Sequence, residues 1–141
     1  MTVKRRISEY FGKERSMIVG IGVDSVSISR VQKAMEREHF SRRIFTEKEL
    51  AQMDAKKRRA ASDFAGKEAV VKVFGTGFEG VEPGEIAILR DERGAPYIEL
   101  LGKARELAEQ MGIEQWQISI TNTQDVATAF AVGLGKNNEC S

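Results

Sequence analysis

Short apolar runs alternate along the chain with helical stripes. Met17 to Asp24 reads as a strand that holds two glycines and closes on a carboxylate. Glycines inside a strand mark a close approach by backbone or ligand. Residues 27 to 38 carry Ile28, Val31 and Met35 on one helical face, with Arg30, Lys33 and Arg37 toward solvent. Ser25 and Ser27 are both suited to cap that helix. Thr46 and Glu49 form a capping-box pattern for a second short helix. Lys56 to Arg59 then link it to a long helix from about 60 to 75, terminated by Gly75. Ile86 to Leu89 and Pro96 to Leu101 predict a hairpin around Asp91 to Gly94, followed by a helix from Lys103 to Met111 that Gly112 stops. Two closing strands, Gln115 to Thr121 and Ala127 to Leu134, flank a polar turn at 122 to 125. The pattern predicts an α+β fold, a curved antiparallel sheet with helices packed on one side.

The long helix holds the candidate chemistry. At 3.6 residues per turn Ala61, Ala65, Glu68 and Lys72 share a stripe, whereas Phe64 and Val71 point toward the core. The small alanines are expected to leave room for a ligand above the charged pair. Glu68 and Lys72 also read as an i,i+4 surface ion pair, which needs no function. Asp24 changes the balance. Together with Glu68 it supplies two hard oxygen ligands of the kind Mg2+ takes while keeping positions for water and phosphate.

Composition narrows the class without naming it. A chain of 141 residues suits one domain that buries roughly 68% of its unfolded surface. One cysteine, Cys140, excludes a disulfide framework and favours a cytoplasmic setting. No apolar stretch reaches the roughly 18 residues of a membrane span. Net charge is +1, yet residues 1 to 16 hold five basic residues against two acids. They read as a basic, flexible N-terminal extension, ahead of a domain at 17–135 and a polar tail at 136–141. A nucleic-acid role for Lys4-Arg5-Arg6 is the distant alternative; the near-neutral remainder argues against it.

Several spaced motifs together resemble one family, the small bacterial holo-acyl-carrier-protein synthases, which are 4′-phosphopantetheinyl transferases. They are GIGVD at 20 to 24, FSRRIFT at 40 to 46 followed by Glu49-Leu50, FAGKEAVVKVFGTG at 64 to 77, LRDERGAP at 89 to 96 and the ISIT strand at 118 to 121. The resemblance implies that the phosphopantetheine arm of coenzyme A is transferred to a serine of apo acyl carrier protein, releasing adenosine 3′,5′-bisphosphate. It implies a magnesium enzyme of fatty acid biosynthesis, trimeric, with sites between subunits. Asp24 and Glu68 would hold Mg2+, and Lys72 would add positive charge. Lys67, the amides of Gly75, Thr76 and Gly77, and Asn122 would contact the cofactor. Arg30, Arg37 and Arg43, with Arg42 nearby, would dock an acidic carrier. Phe130, Val132 and Leu134 alternate as a subunit contact would require. The proton of the attacking serine goes either to Glu68 or to metal-bound water.

Two positions depart from the family's habit. Asn122 stands where a histidine is usual, and an amide exchanges hydrogen bonds but carries no proton near neutral pH. This motivates the alternative of a weakened paralogue that binds coenzyme A or carrier without efficient transfer. Gly66 stands where alanine is usual and is expected to cost the helix about 1 kcal/mol. His39, the only histidine, reads as a solvated residue at a helix end and not as a zinc ligand.

Overall fold

The computed structural model describes residues 16–136, so the basic arm and Cys140 lie outside the described residues. The chain opens with β1 (Ser16–Ser27), then three short helices, α1 (Ile28–Met35), α2 (Glu38–Ile44) and α3 (Glu47–Gln52). The long helix α4 (Arg59–Phe74) follows, then a 3-10 turn at Pro83–Glu85. Strands β2 (Ile86–Arg90) and β3 (Pro96–Leu100), helix α5 (Gly102–Gln110), and strands β4 (Gln115–Asn122) and β5 (Val126–Lys136) complete it.

The α+β class stands, but the expected single sheet is divided. One sheet has the order β1-β5-β4; the β2-β3 hairpin forms a second, and both are antiparallel. β2 is buried along nearly its whole length, packed on α4, and its free edge bonds to the side chains of Glu49 and Gln52 instead of to a third strand. The helix expected over 27 to 38 is also shorter, because Arg37 takes an extended conformation and the chain restarts as α2. Its N-cap is Ser27, whose hydroxyl accepts from the Arg30 amide, while Ser25 pairs across the sheet with Thr128. The capping box at Thr46 and Glu49 forms in full.

α4 is the axis of the molecule, and its residues are almost all buried. The main core gathers Val70, Val73, Phe74, Ile86 and Ile88 around it, and a smaller core joins Val31, Met35, Phe45 and Ala61 to Ala127. Small residues let the sheet approach. A Cβ on Gly22 would lie 1.9 Å from the Ala69 carbonyl oxygen, so only glycine permits β1 to run this close to α4. Strand alternation fixes the two faces of β5: Ala127, Ala129 and Ala131 are buried, whereas Phe130 is exposed. Phe130 pairs with exposed Val23, and Val132 with exposed Ile21, which makes the outer face of this sheet apolar.

Candidate active site

The β1-α4 contact that removes the glycine side chains brings Asp24 beside the exposed edge of α4. Lys72 Nζ donates to Asp24 Oδ1 at 3.0 Å and to the Val23 carbonyl at 2.9 Å. The pair is open, with Lys72 53% and Asp24 19% exposed at the side chain. Glu68, one turn earlier on the same stripe, is half-buried. Burial raises its pKa, the Asp24 charge adds to that rise, and Lys72 opposes it. Asp24, Glu68 and Lys72 therefore form one cluster, in which two carboxylates crowd and a single ammonium offsets part of the repulsion.

The room expected above Ala61 and Ala65 is not there. Both alanines are buried, Ala65 in the main core and Ala61 against the smaller one, so the stripe opens only at Glu68 and Lys72. Gly66 is also explained. A Cβ there would meet Ile88 Cγ1 at 2.9 Å and Ile118 Cδ1 at 3.2 Å, so close packing against β2 and β4 accompanies the propensity cost.

Lys67 is corrected outright. Instead of reaching a cofactor phosphate it is fully buried, with Nζ donating to Glu49 Oε1 at 2.6 Å, to the Pro83 carbonyl at 3.0 Å and to the Ile86 carbonyl. It also lies over the Phe45 ring. Burial pushes the Lys67 ammonium below its ordinary pKa, and the charges of Glu49 and Asp63 push it back up. The helix period explains the miss. One residue further along turns a side chain by about 100°, which takes Lys67 into the protein and leaves Glu68 at the surface.

At the end of α4, Gly75 adopts the left-handed conformation, and its amide is bound to the Val71 and Lys72 carbonyls. That donor is consumed by the helix cap. Thr76 and Gly77 continue an exposed turn. Asn122 stands elsewhere: its Nδ2 donates to Ser62 Oγ at 2.9 Å. Ser62 is six residues before Glu68, about 9 Å along the helix. In the sheet, β5 separates Asn122, opposite Ala127, from Asp24, opposite Ala129. Within one chain Asn122 is thus not brought beside Asp24.

Arg30, Arg37 and Arg43 are exposed and make no ion pair among the described residues, whereas Arg42 is paired with Glu38 at 2.9 Å. Arg37 and Arg43 border a depression of about 500 Å³ lined by Phe40, Ile44 and Phe78. His39 is exposed on its rim, in the first turn of α2. Among the described residues no three His, Cys, Asp or Glu side chains gather as a metal cluster.

Ser62 and Asp63 were singled out by no motif, and Glu49 and Arg90 only as members of family motifs with no role of their own. Glu49 was read as a cap and as part of a motif, yet its Oε2 also accepts from the Ile88 amide at 3.1 Å. Arg90 Nη2 lies 2.9 Å from Asp63 Oδ1, near enough for charge attraction but off the direction of a hydrogen bond. Burial drives the Asp63 pKa up to about 7, opposed by Arg90.

A family model of the 4′-phosphopantetheinyl transferase superfamily matches residues 20–131. The holo-[acyl-carrier-protein] synthase of Lachnoclostridium phytofermentans is 49% identical over 83% of this chain and 96% of its own length. Among solved structures, an acyl carrier protein synthase of Plasmodium yoelii with ADP bound aligns with a TM-score of 0.78 and 32% identity, covering 87% of this chain and 99% of that one. The Helicobacter pylori holo-[acyl-carrier-protein] synthase in complex with coenzyme A gives a TM-score of 0.70 at 29% identity, over 80% of this chain and 98% of that one. The chain belongs to the 4′-phosphopantetheinyl transferase superfamily, as its holo-[acyl-carrier-protein] synthase relatives do.

Proposed function

We propose that this chain transfers the 4′-phosphopantetheine arm of coenzyme A to a serine of apo acyl carrier protein, releasing adenosine 3′,5′-bisphosphate. The observation that carries the reading is the Asp24–Glu68–Lys72 cluster on the open edge of α4, in a chain whose relatives bear the name of that activity. The serine oxygen attacks the phosphorus bearing the pantetheine arm, its proton passing to Glu68 or to water, and the bond to the adenosine bisphosphate breaks. Such a transfer asks mainly for positioning and charge stabilisation.

The donor set fits Mg2+. Two crowded carboxylates, with the Glu68 pKa raised chiefly by burial and further by the Asp24 charge, are relieved by a divalent cation, and Mg2+ accepts few protein oxygens while keeping water and phosphate positions. Asp24 and Glu68 would hold it, and it would offset charge on the leaving phosphate. Lys72, on a flexible stem and now bound to Asp24, would supply a positive charge to a phosphate oxygen once Asp24 held the cation. The exposed amides of Thr76 and Gly77 stand one turn further along and offer additional donors.

Exposed and without an ion pair among the described residues, Arg30, Arg37 and Arg43 suit an acidic carrier, whose approach they would steer. The apolar outer face of β1 and β5, with Ile21 59% and Phe130 42% exposed, suits burial against further copies in a homotrimer. A neighbouring copy would then supply Asn122 to a site that one chain leaves without it. A cytoplasmic place in fatty acid biosynthesis accords with these partners.

The test is incubation with coenzyme A, Mg2+ and apo carrier, followed by mass spectrometry of the carrier. The added phosphopantetheine mass is expected. Coenzyme A binding without mass gain, even at long times, would favour the weakened paralogue that Asn122 suggests.

A further inference from the structure

Residues 66 to 69 make one turn of α4, and three of the four are held without slack. Gly66 lies close against Ile88, where an added methyl group would sit 2.9 Å from Ile88 Cγ1 and force that side chain to shift. Ala69 presents its carbonyl to Gly22 of β1, where a side chain is excluded because its Cβ would lie 1.9 Å from the backbone oxygen. Lys67 is gripped by acceptors from three segments, Glu49 on α3, Pro83 in the 3-10 turn and Ile86 at the start of β2. Glu49 is itself fixed by the Thr46 and Ile88 amides. Glu68 is the fourth residue of the turn and the one that is not buried.

We infer that Lys67 is a positioning residue for the transfer reaction: its bonds to Glu49, Pro83 and Ile86 set the rotation of α4 and so the place of the Glu68 carboxylate relative to Asp24. The inference rests on the reading of Asp24 and Glu68 as a metal pair. Packing alone fills space, and a side chain of the right volume would do as much. Three directed bonds from one ammonium also fix an angle. A rotation of about 20° at a helix radius of about 6 Å displaces a carboxylate by about 2 Å. Mg2+ holds its oxygens at about 2.1 Å with little tolerance, so such a displacement removes a ligand.

The test measures Mn2+ binding by electron paramagnetic resonance, together with stability and kinetics, on Glu49→Gln/Lys67→Met and on Glu49→Gln alone. The paired variant removes both buried charges and puts an adaptable side chain in place of the anchor. Glu49→Gln alone keeps the side-chain volume and the Pro83 and Ile86 bonds and weakens the charge-assisted bond to Lys67, a smaller change. Mn2+ affinity is expected to fall about tenfold in the paired variant, as outer partners of metal ligands usually show, with kcat falling alongside and KM for coenzyme A nearly unchanged. Glu49→Gln is expected to weaken Mn2+ binding about twofold, because one of the three bonds that set α4 is loosened. A paired variant that folds and binds Mn2+ like the wild type overturns the inference; should it not fold, unchanged binding in Glu49→Gln does so. Wild-type protein that binds Mn2+ no better than Asp24→Ala would instead overturn the metal assignment itself.

Discussion

Two lysines five residues apart on α4 each pair with a carboxylate, and the pairs differ in almost everything else. Lys67 and Glu49 are both 0% exposed and 2.6 Å apart. Lys72 and Asp24 are open to solvent at 3.0 Å, with the Val23 carbonyl as the one other acceptor for the ammonium among the described residues. A buried pair is committed, because removing either partner strands a charge in a medium that cannot solvate it. An exposed pair is exchangeable, since water or a ligand replaces either partner at little cost. The helix thus separates architecture from chemistry by the direction in which each lysine points.

The contrast breaks most visibly at the open end. Asp24→Ala and Glu68→Ala are each expected to lower transfer by ~10³-fold, the scale of losing a metal-stabilised transition state. Both should leave melting temperature close to wild type, and chelation should mimic them. Turnover assays at low Mg2+, paired with thermal denaturation, check this; full activity in either variant would remove the proposed metal site. At the closed end Lys67→Ala should do the opposite first, destabilising the protein by about 3–5 kcal/mol in urea titration.

Asp63 gives the buried side a pH signature. Its carboxyl is raised from 3.8 to about 7, chiefly by burial and against the pull of Arg90. The folded state therefore holds this proton more tightly than the unfolded chain does. The stability it contributes is complete below the unfolded pKa and is lost as pH rises through about 7. Between about pH 5.5 and 8.5 the wild type should lose about 2 kcal/mol relative to Asp63→Asn. Parallel pH profiles for the two proteins would refute the shift.

Lys72→Ala should move stability by only about 0–1 kcal/mol while weakening coenzyme A binding and turnover. A variant that loses stability and keeps both would reduce the pair to a surface ion bridge. The smallest effect is expected at Asn122→His, which should add a titration near neutral pH to an activity already present. Rate profiles across that range decide it. Activity appearing only with the histidine would favour the weakened paralogue.

Sequence alone carried the order of elements except for α2, which the reading of one helix over 27 to 38 missed, because the others rest on local signals. Examples are the capping box at Thr46 and Glu49, the αL cap at Gly75 and the 3.6-residue stripe of α4. It also supplied Asp24, Glu68 and Lys72, through spaced motifs and one helical face, and the glycines of β1 as places of close approach. The meaning of neighbours in space was decided by tertiary packing. Lys67 and Glu68 are adjacent in sequence and polar alike, yet only the seating of α4 against β2 and α3 sends one inward and the other out. Asn122 shares a motif-bearing strand, but β5 stands between it and Asp24. Ala61 and Ala65 read as open space and proved to be packed, since a small side chain invites either a ligand or another strand. The physical reason is common to all three. Periodicity gives the direction of a side chain relative to its own helix or strand, while burial depends on what packs there, and that is fixed only when distant segments meet.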